Sequence, residues 1–221
     1  MVAVEITDLI AAVRAALDEL QLNPSLMAGV QDADSEDLDT IIRKKVVEAV
    51  AQVHYQADRT RVTPDATVVQ SPSATAEGSV LVVDVPGTMH RFLSLKVTDS
   101  PYTIISLYEE GTPEALWQND QYACGTWERP QAVLHRGSTT NKIRYYKLRT
   151  PLGDNEAAVS RVERLCYLDY PVIDTTDDTV DVCYLLQDAV VSMLTAMVLT
   201  VLKDPHSEQF YSLAKLQMCG V

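Results

Sequence analysis

One group of side chains that could bind a metal ion is an acidic run comprising Asp174, Asp177, Asp178 and Asp181. Carboxylate oxygens at close spacing are the ligands that calcium prefers. A calcium loop also needs a glycine at its sharp turn and a bidentate carboxylate further along the chain, and neither stands where the loop requires it. We therefore interpret the run as a solvated, helix-capping segment and expect no metal.

Glu109 and Glu110, immediately before Gly111, form a second candidate, a carboxylate pair for general acid and base chemistry. Adjacent residues of a strand point to opposite faces of a sheet, so these two carboxylates would converge only at a bulge. A turn at the edge of a sheet is the favoured interpretation.

Thiol and imidazole groups are too scattered along the chain to predict a zinc site or a disulfide framework. No two cysteines form a CxxC pair, and the histidines do not cluster with them. Buried free thiols are expected, which suits a reducing cytoplasm. We interpret His54 and His135 as satisfied or surface histidines rather than catalytic groups. The full set is Cys124, Cys166, Cys183, Cys219, His54, His90, His135 and His206.

Common catalytic motifs are missing from the sequence, which contains no GxGxxG, GxxxxGK[ST], HExxH or GxSxG. These motifs mark widespread nucleotide, phosphate, metalloprotease and acyl-transfer sites. We expect a protein that is not an enzyme and that carries no cofactor.

One basic cluster with aromatic residues lies at 142–149, with Arg136 nearby. Such a cluster can grip a nucleic acid through phosphates and stacked bases. It can equally bind an acidic protein surface, including a second copy of this chain. We favour the protein surface over nucleic acid, and a solvated strand is an equal alternative. Two tryptophans belong either to the core or to an interface. The candidate interface residues are Arg136, Lys142, Arg144, Tyr145, Tyr146, Lys147, Arg149, Trp117 and Trp127.

Composition indicates an acidic globular chain. It has 221 residues, 47% of them hydrophobic, and a formal net charge of −13. That length suits one domain of ordinary size with helical appendages. The acidic surface disfavours binding to phosphate backbones. The N-terminus lacks the features of a signal peptide. Residues 189–202 are nearly all apolar, but a helix of this length spans about 21 Å, less than a hydrocarbon core of about 30 Å.

The N-terminal segment, 1–58, is predicted to be a helical hairpin. Helix 5–22 places its apolar residues on one face and ends at Asn23-Pro24. After a loop at 24–34, Asp34 or Ser35 caps a second helix at about 36–57, with an acidic first turn.

The middle segment, 59–178, is predicted to be β-rich, as an antiparallel sheet or a small sandwich. Residues 71–79 form a turn-rich connector. The expected strands are 68–69, 80–85, 91–97, 102–108, 121–124, 131–136, 142–149 and 161–168.

The C-terminal segment, 179–221, is predicted to be a long apolar helix at 179–203 and a short helix at 206–218 that pack with the N-terminal helices. Thr179 or Asp178 would cap the long helix. Apolar residues all round it predict burial on every side, and a small domain rarely wraps a helix fully, so contact with a neighbouring subunit is expected. The fold class is α+β.

Two segments carry a family resemblance. Residues 35–58, SEDLDTIIRKKVVEAVAQVHYQAD, and residues 161–203, which begin RVERLCYLDYPV, resemble virion proteins of crAss-like and related short-tailed phages. The order of blocks along the whole chain is similar as well. The resemblance implies a head-to-tail connector, or adaptor, in the virion. Such a protein forms a ring, typically of twelve copies, beneath the portal, contacts other tail or ring proteins, and lets DNA pass through its lumen without specific binding.

A second hypothesis comes from another class of protein. The chain could be a small cytoplasmic enzyme or a ligand-binding α+β protein, which a deep pocket with a perturbed carboxylate or histidine would indicate. A membrane-associated helix at 182–202 is a third, and it predicts that the protein depends on detergent.

Overall fold

The computed structural model describes residues 1–19, 37–77, 80–98, 100–118, 120, 125–126, 128–137, 140–146 and 161–220. The chain divides into a helical unit, Met1–Asp65 with Tyr170–Val221, and a β unit, Ala66–Asp169. The sequence predicted boundaries at 58/59 and 178/179, whereas the two units of the structure divide at 65/66 and 169/170. The α+β class is confirmed.

The helices and strands are as follows in chain order. They are β1 (Val2–Glu5), α1 (Ile6–Glu19), α2 (Leu38–Gln56), α3 (Arg59–Val62), β2 (Thr67–Gln70), β3 (Ala74–Glu77), β4 (Val80–Val85), β5 (Met89–Val97), β6 (Thr103–Ile104), β7 (Tyr108–Glu109), α4 (Pro113–Trp117), β8 (Gln131–Arg136), β9 (Asn141–Tyr146), β10 (Val162–Asp169), β11 (Ile173–Asp174), β12 (Thr179–Val182), α5 (Gln187–Val201) and α6 (Ser207–Cys219). Short 3-10 turns occupy Thr63–Asp65 and Tyr184–Leu186.

The two N-terminal helices form as their apolar spacing predicts. Helix α1 buries Ile6, Leu9, Val13 and Leu17, which recur on one face. An ion pair of 2.7 Å between Arg14 and Asp39 joins α1 to α2. Both helices pack against α5. The predicted loop at 24–34 and the caps at Asp34 and Ser35 lie outside the described residues; Asp37 is the N-cap residue of α2.

Helix α5 is the core of the helical unit. Ten of its fifteen residues are buried, and they lie on all sides of the helix. Its buried hydroxyl at Thr195 donates to the carbonyl of Val191 at 2.8 Å, so this polar group is satisfied within the helix. By length and composition, Tyr184–Val201 would suffice to cross a membrane, but 61% of it is buried inside the protein. A single chain therefore supplies the burial for which we expected a neighbouring subunit from the sequence.

The start of the C-terminal helix is the main correction to the sequence-based elements. Residues 179–186, predicted to be helical, form strand β12 and a 3-10 turn, and α5 begins only at Gln187. Val180 and Val182 are buried whereas Asp181 is exposed, which is the two-residue period of a strand. Strand β12 pairs with β1 and β11 in a three-stranded antiparallel sheet. Neither β1 nor β11 was predicted.

The β unit is a sandwich of two sheets around one hydrophobic core. The strand orders are β2-β10-β5-β6 and β3-β4-β9-β8-β7, and every pair is antiparallel except β7 with β8. The core draws on both sheets. Its members include Leu81, Val83, Leu95, Val97, Leu134, Ile143, Tyr145 and Leu165.

Two predictions about this region are wrong in detail, and one helix was not predicted. The connector 71–79 contains strand β3. The strand predicted at 102–108 is two short strands, because the chain leaves one sheet at Ile104 and joins the other at Tyr108. The helix α4 was missed, although Thr112-Pro113 is a helix-start signal. The strand predicted at 121–124 lies outside the described residues.

Candidate interaction surfaces

Strand β9 divides the predicted basic cluster between two faces of its sheet. Lys142, Arg144 and Tyr146 alternate with Ile143 and Tyr145, which lie in the core of the sandwich. Tyr145 is only 1% exposed. Because successive strand residues point to opposite faces, two adjacent tyrosines cannot both serve one surface. The assignment of Tyr145 to an interface is therefore corrected: its side chain is a core residue.

Carboxylates form ion pairs with the arginines on this part of the sheet. Arg144 lies 3.5 Å from Glu77, and Arg136 lies 3.1 Å from Glu109. Lys142 stands in register between Asp84 of β4 and His135 of β8. The two arginine–glutamate pairs are exposed, so each contributes little to stability, but they neutralise Arg144 and Arg136. Among the described residues, 136–146 is therefore a mixed-charge surface rather than a basic patch.

The carboxylate pair Glu109-Glu110 is also divided by the sheet. Glu109 pairs with Arg136, whereas Oε1 of Glu110 lies 3.1 Å from Nδ1 of His135. Strand β7 is the last strand of its sheet, so both carboxylates lie at an edge. The two acids thus face different basic partners, and this arrangement does not form a convergent acid–base pair.

Trp117 is exposed at the surface. Its side chain is 52% exposed, and the preceding Leu116 is 62% exposed. The other residues of the predicted interface, Lys147, Arg149 and Trp127, lie outside the described residues. Exposed neighbouring Leu and Trp side chains are typical of protein-binding surfaces rather than of catalytic sites. Sequence reasoning named Trp117 but missed Leu116, since the helix that presents both was not predicted.

Helix α4, which carries Leu116 and Trp117, is fixed at both ends. Thr112 is its N-cap residue and accepts a hydrogen bond from the Ala115 amide at 3.4 Å. At the other end the buried amide of Gln118 donates to the carbonyl of Glu114 at 2.8 Å and to the side chain of Gln131. The two apolar side chains are therefore held outward on a positioned helix.

A cavity of about 430 Å³ lies beside this helix. It is lined by the chain between β6 and β7 and by the segment before β8, and Gln131 belongs both to its wall and to the contact with Gln118. Tyr102 and Ile105 in the lining are more than half exposed. The lining residues are Tyr102, Thr103, Ile104, Ile105, Ser106, Tyr108, Glu128, Arg129, Pro130 and Gln131.

The acidic run at 174–181 is a hairpin turn between β11 and β12, not a helix cap. The backbone amide of Thr176 donates to Asp174 at 2.7 Å, and this hydrogen bond lowers the pKa of the Asp174 carboxyl. Asp178 adopts a left-handed φ of 53° and pairs with Arg43. Asp174 thus stabilises the turn, and Asp178 forms an ion pair. In the described part of the chain, no three His, Cys, Asp or Glu side chains are grouped to hold a metal ion.

The prediction of buried free thiols is confirmed for two of the cysteines and is wrong for a third. Cys166 and Cys183 are buried free thiols, but Cys219 is exposed, and Cys124 lies outside the described residues. His54 is buried, and its Nε2 accepts a hydrogen bond from the Cys183 amide at 3.1 Å. His54 therefore has a structural role.

The helical unit carries most of the negative charge. It contains 19 acidic and 8 basic residues, a net of −11, whereas the β unit contains 12 and 10, a net of −2. On α6 only Ala214 and Met218 are buried, and Leu213 and Leu216 lie exposed on its outer side. An acidic unit with an exposed apolar helix face is suited to contact with another protein.

No protein-family model matches the chain, and no curated protein sequence matches it significantly.

Proposed function

We propose that this protein is a structural virion component, a subunit of the connector ring beneath the portal of a short-tailed phage. The proposal starts from the resemblance of residues 35–58 and 161–203 to such proteins. In the structure these two segments contribute α2 and α5, which pack against each other in the helical unit. These two helices are thus parts of one scaffold.

The observation that carries an assembly role is the exposure of apolar side chains on positioned elements of both units. Leu213 and Leu216 are exposed on α6, and Leu116 and Trp117 are exposed on α4. Monomeric proteins seldom place such residues together at the surface unless another molecule covers them. Helix α5 is buried within one chain, so its apolar sides no longer argue for a neighbouring subunit. The support for assembly comes from the exposed apolar residues of α4 and α6.

The charge distribution is compatible with a DNA conduit. A net charge of −11 on the helical unit repels phosphate, and a channel lined by it would let DNA slide without binding. This argument does not depend on any specific contact with a base. It predicts that the protein alone does not retain duplex DNA at physiological salt.

Native mass spectrometry with and without the portal protein encoded by the same genome tests the proposal. We expect a ring, typically of twelve copies, seated on the portal. The variant carrying Leu213→Ser and Leu216→Ser should join the portal less well, whereas the control Val68→Ser, at an exposed apolar position of β2, should join normally. A chain that stays monomeric and does not bind portal, or a genome without a portal gene, would reject the proposal.

A further inference from the structure

Helix α6 presents a broad exposed side to solvent. Its buried side chains, Ala214 and Met218, lie on its inner side. At 3.6 residues per turn, the exposed positions fall together on the opposite side, with Ser212 and Leu216 at the centre and Leu213 on one flank. Leu213 is 43% exposed and Leu216 is 53% exposed. We define the α6 face as Glu208, Ser212, Leu213, Lys215, Leu216 and Cys219, all of them exposed.

The apolar part of the α6 face continues beyond the helix. Leu185, in the turn before α5, is 45% exposed. It lines a cavity of about 260 Å³ together with Gln217 and Gly220, which places it beside the last turn of α6. Single exposed leucines are common on protein surfaces, whereas three of them around one helix are typical of an interaction surface.

Helix α6 is a neutral part of an acidic unit. Its charged side chains are Glu208 and Lys215, one of each sign, so the helix has no net charge, whereas the helical unit as a whole carries −11. Two copies of the unit therefore repel each other less at α6 than at their acidic surfaces. This favours α6 as the place where a second copy of the chain binds.

The two charges are placed so that the α6 face is complementary to itself. Glu208 and Lys215 are seven residues apart, so they lie on one flank of the face, about 10 Å apart along the helix axis. If two α6 helices pack antiparallel about a two-fold axis beside Ser212, Glu208 of each copy lies level with Lys215 of the other. The opposite flank then brings Leu213 of the two copies together. Parallel packing would instead place like charges level with each other.

We infer that the α6 face binds the same face of a second copy, in an antiparallel two-fold dimer. Burial of Leu213 and Leu216 drives the association, and the reciprocal pairs of Glu208 with Lys215 fix its direction. One helix face is a small interface, so the dimer is weak and depends on protein concentration. A two-fold contact closes after two copies and does not build a ring. The inference thus goes beyond the proposed connector and concerns the chain before it meets the portal.

Sedimentation velocity of the full chain over a concentration series, without portal, tests the dimer. We expect a monomer–dimer equilibrium. Leu213→Ser should raise its Kd about tenfold or more, as loss of an interface anchor does. Val172→Ser, which removes an exposed apolar side chain of the same unit outside α6, should leave the Kd unchanged. Circular dichroism of each variant should match the parent, because the substituted side chains are exposed.

Charge reversal tests the antiparallel direction. Glu208→Lys places lysines of the two copies level with each other, and Lys215→Glu does the same with glutamates, so each should weaken the dimer about tenfold. Glu208→Lys also lowers the net negative charge, so a weaker dimer of this variant does not come from general repulsion. The double variant Glu208→Lys/Lys215→Glu restores both pairs in the opposite order and should return the Kd to the parent value.

Disulfide formation locates the two-fold axis. In the antiparallel dimer the two copies of Ser212 lie next to the axis, whereas the two copies of Cys219 lie about 22 Å apart along the helix axes. Ser212→Cys in a Cys219→Ser background should therefore form a disulfide-linked dimer under mild oxidation, since a disulfide needs closely spaced Cα atoms. In the parent, peptide mapping should find no link between two Cys219 residues.

Four outcomes would overturn the inference. They are a chain that stays monomeric at every concentration, a dimer that Leu213→Ser does not weaken, a double charge reversal that binds no better than the single ones, and a link through Cys219 instead of position 212. Portal binding is measured in a separate experiment. A failure of the dimer therefore leaves the connector proposal unaffected, and a failure of portal binding leaves the dimer unaffected.

Discussion

The ring nitrogen Nε2 of His54 accepts a hydrogen bond of 3.1 Å from the backbone amide of Cys183, which lies 129 residues further along the chain. Both residues are buried. The bond joins α2 to the turn that precedes α5. It shows how the two ends of the chain are joined into one helical unit.

We predict that His54→Leu destabilises the protein by about 1–3 kcal/mol, because the buried Cys183 amide loses its acceptor. His54→Gln is the matched control, since its side-chain oxygen can replace Nε2, and it should recover part of the loss. Urea denaturation at neutral pH measures both. Equal stability of His54→Leu and the parent would contradict the role assigned to this bond.

Leu194→Ala should lower the free energy of unfolding by about 2–5 kcal/mol, because Leu194 is fully buried in α5 and its removal leaves a cavity. The loss should be the same at all protein concentrations, since the burial occurs within one chain. Val201→Ala, at an exposed position of the same helix, should change stability by less than about 0.5 kcal/mol. A loss for Leu194→Ala that depends on protein concentration would instead indicate burial between subunits.

Tyr145→Ala and Lys142→Ala should separate core from surface on strand β9. The first removes a fully buried ring and should destabilise the sandwich by about 3–5 kcal/mol. The second removes an exposed side chain and should change stability by less than about 0.5 kcal/mol. Thermal unfolding followed by circular dichroism compares them. Equal effects would show that the assignment of the two faces is wrong.

Asp204 should give the helical unit a pH-dependent stability. The His206 backbone amide donates to its carboxylate at 2.9 Å, and this bond, with the nearby His206 ring, lowers the pKa of Asp204. A folded-state pKa below the unfolded value near 3.9 means that the stabilisation is present above that pH and is lost as the pH falls through the folded-state pKa.

Asp204→Ala should therefore be less stable than the parent by about 1 kcal/mol at neutral pH, and the difference should shrink as the pH falls below about 4. Asp204→Asn keeps an acceptor without a charge, so it should lose less and show a weaker pH dependence. Urea denaturation over a pH series measures the three proteins. A difference that stays constant down to pH of about 2 would contradict an ionic contribution.

Regular spacing of apolar residues in the sequence was sufficient to predict the longest helices and strands. The stripe of Ile6, Leu9, Val13 and Leu17 predicts α1, and the alternation around Leu93 and Leu95 predicts β5. The short elements escaped prediction because two to five residues carry too little periodicity. Strand β12 and the turn at 184–186 were taken for helix because they adjoin the apolar run of α5 without a break in composition.

By itself, the sequence determined the α+β class, the acidic charge and the burial of the apolar C-terminal helix. It also showed which residue types could form an interface. Only the tertiary structure decided which of those residues reach the surface. Tyr145 and Tyr146 are neighbours along the chain, yet the pleat of β9 buries one and leaves the other part-exposed. Glu77 and Glu109 neutralise Arg144 and Arg136 because strand pairing brings distant residues together, which a linear pattern does not reveal.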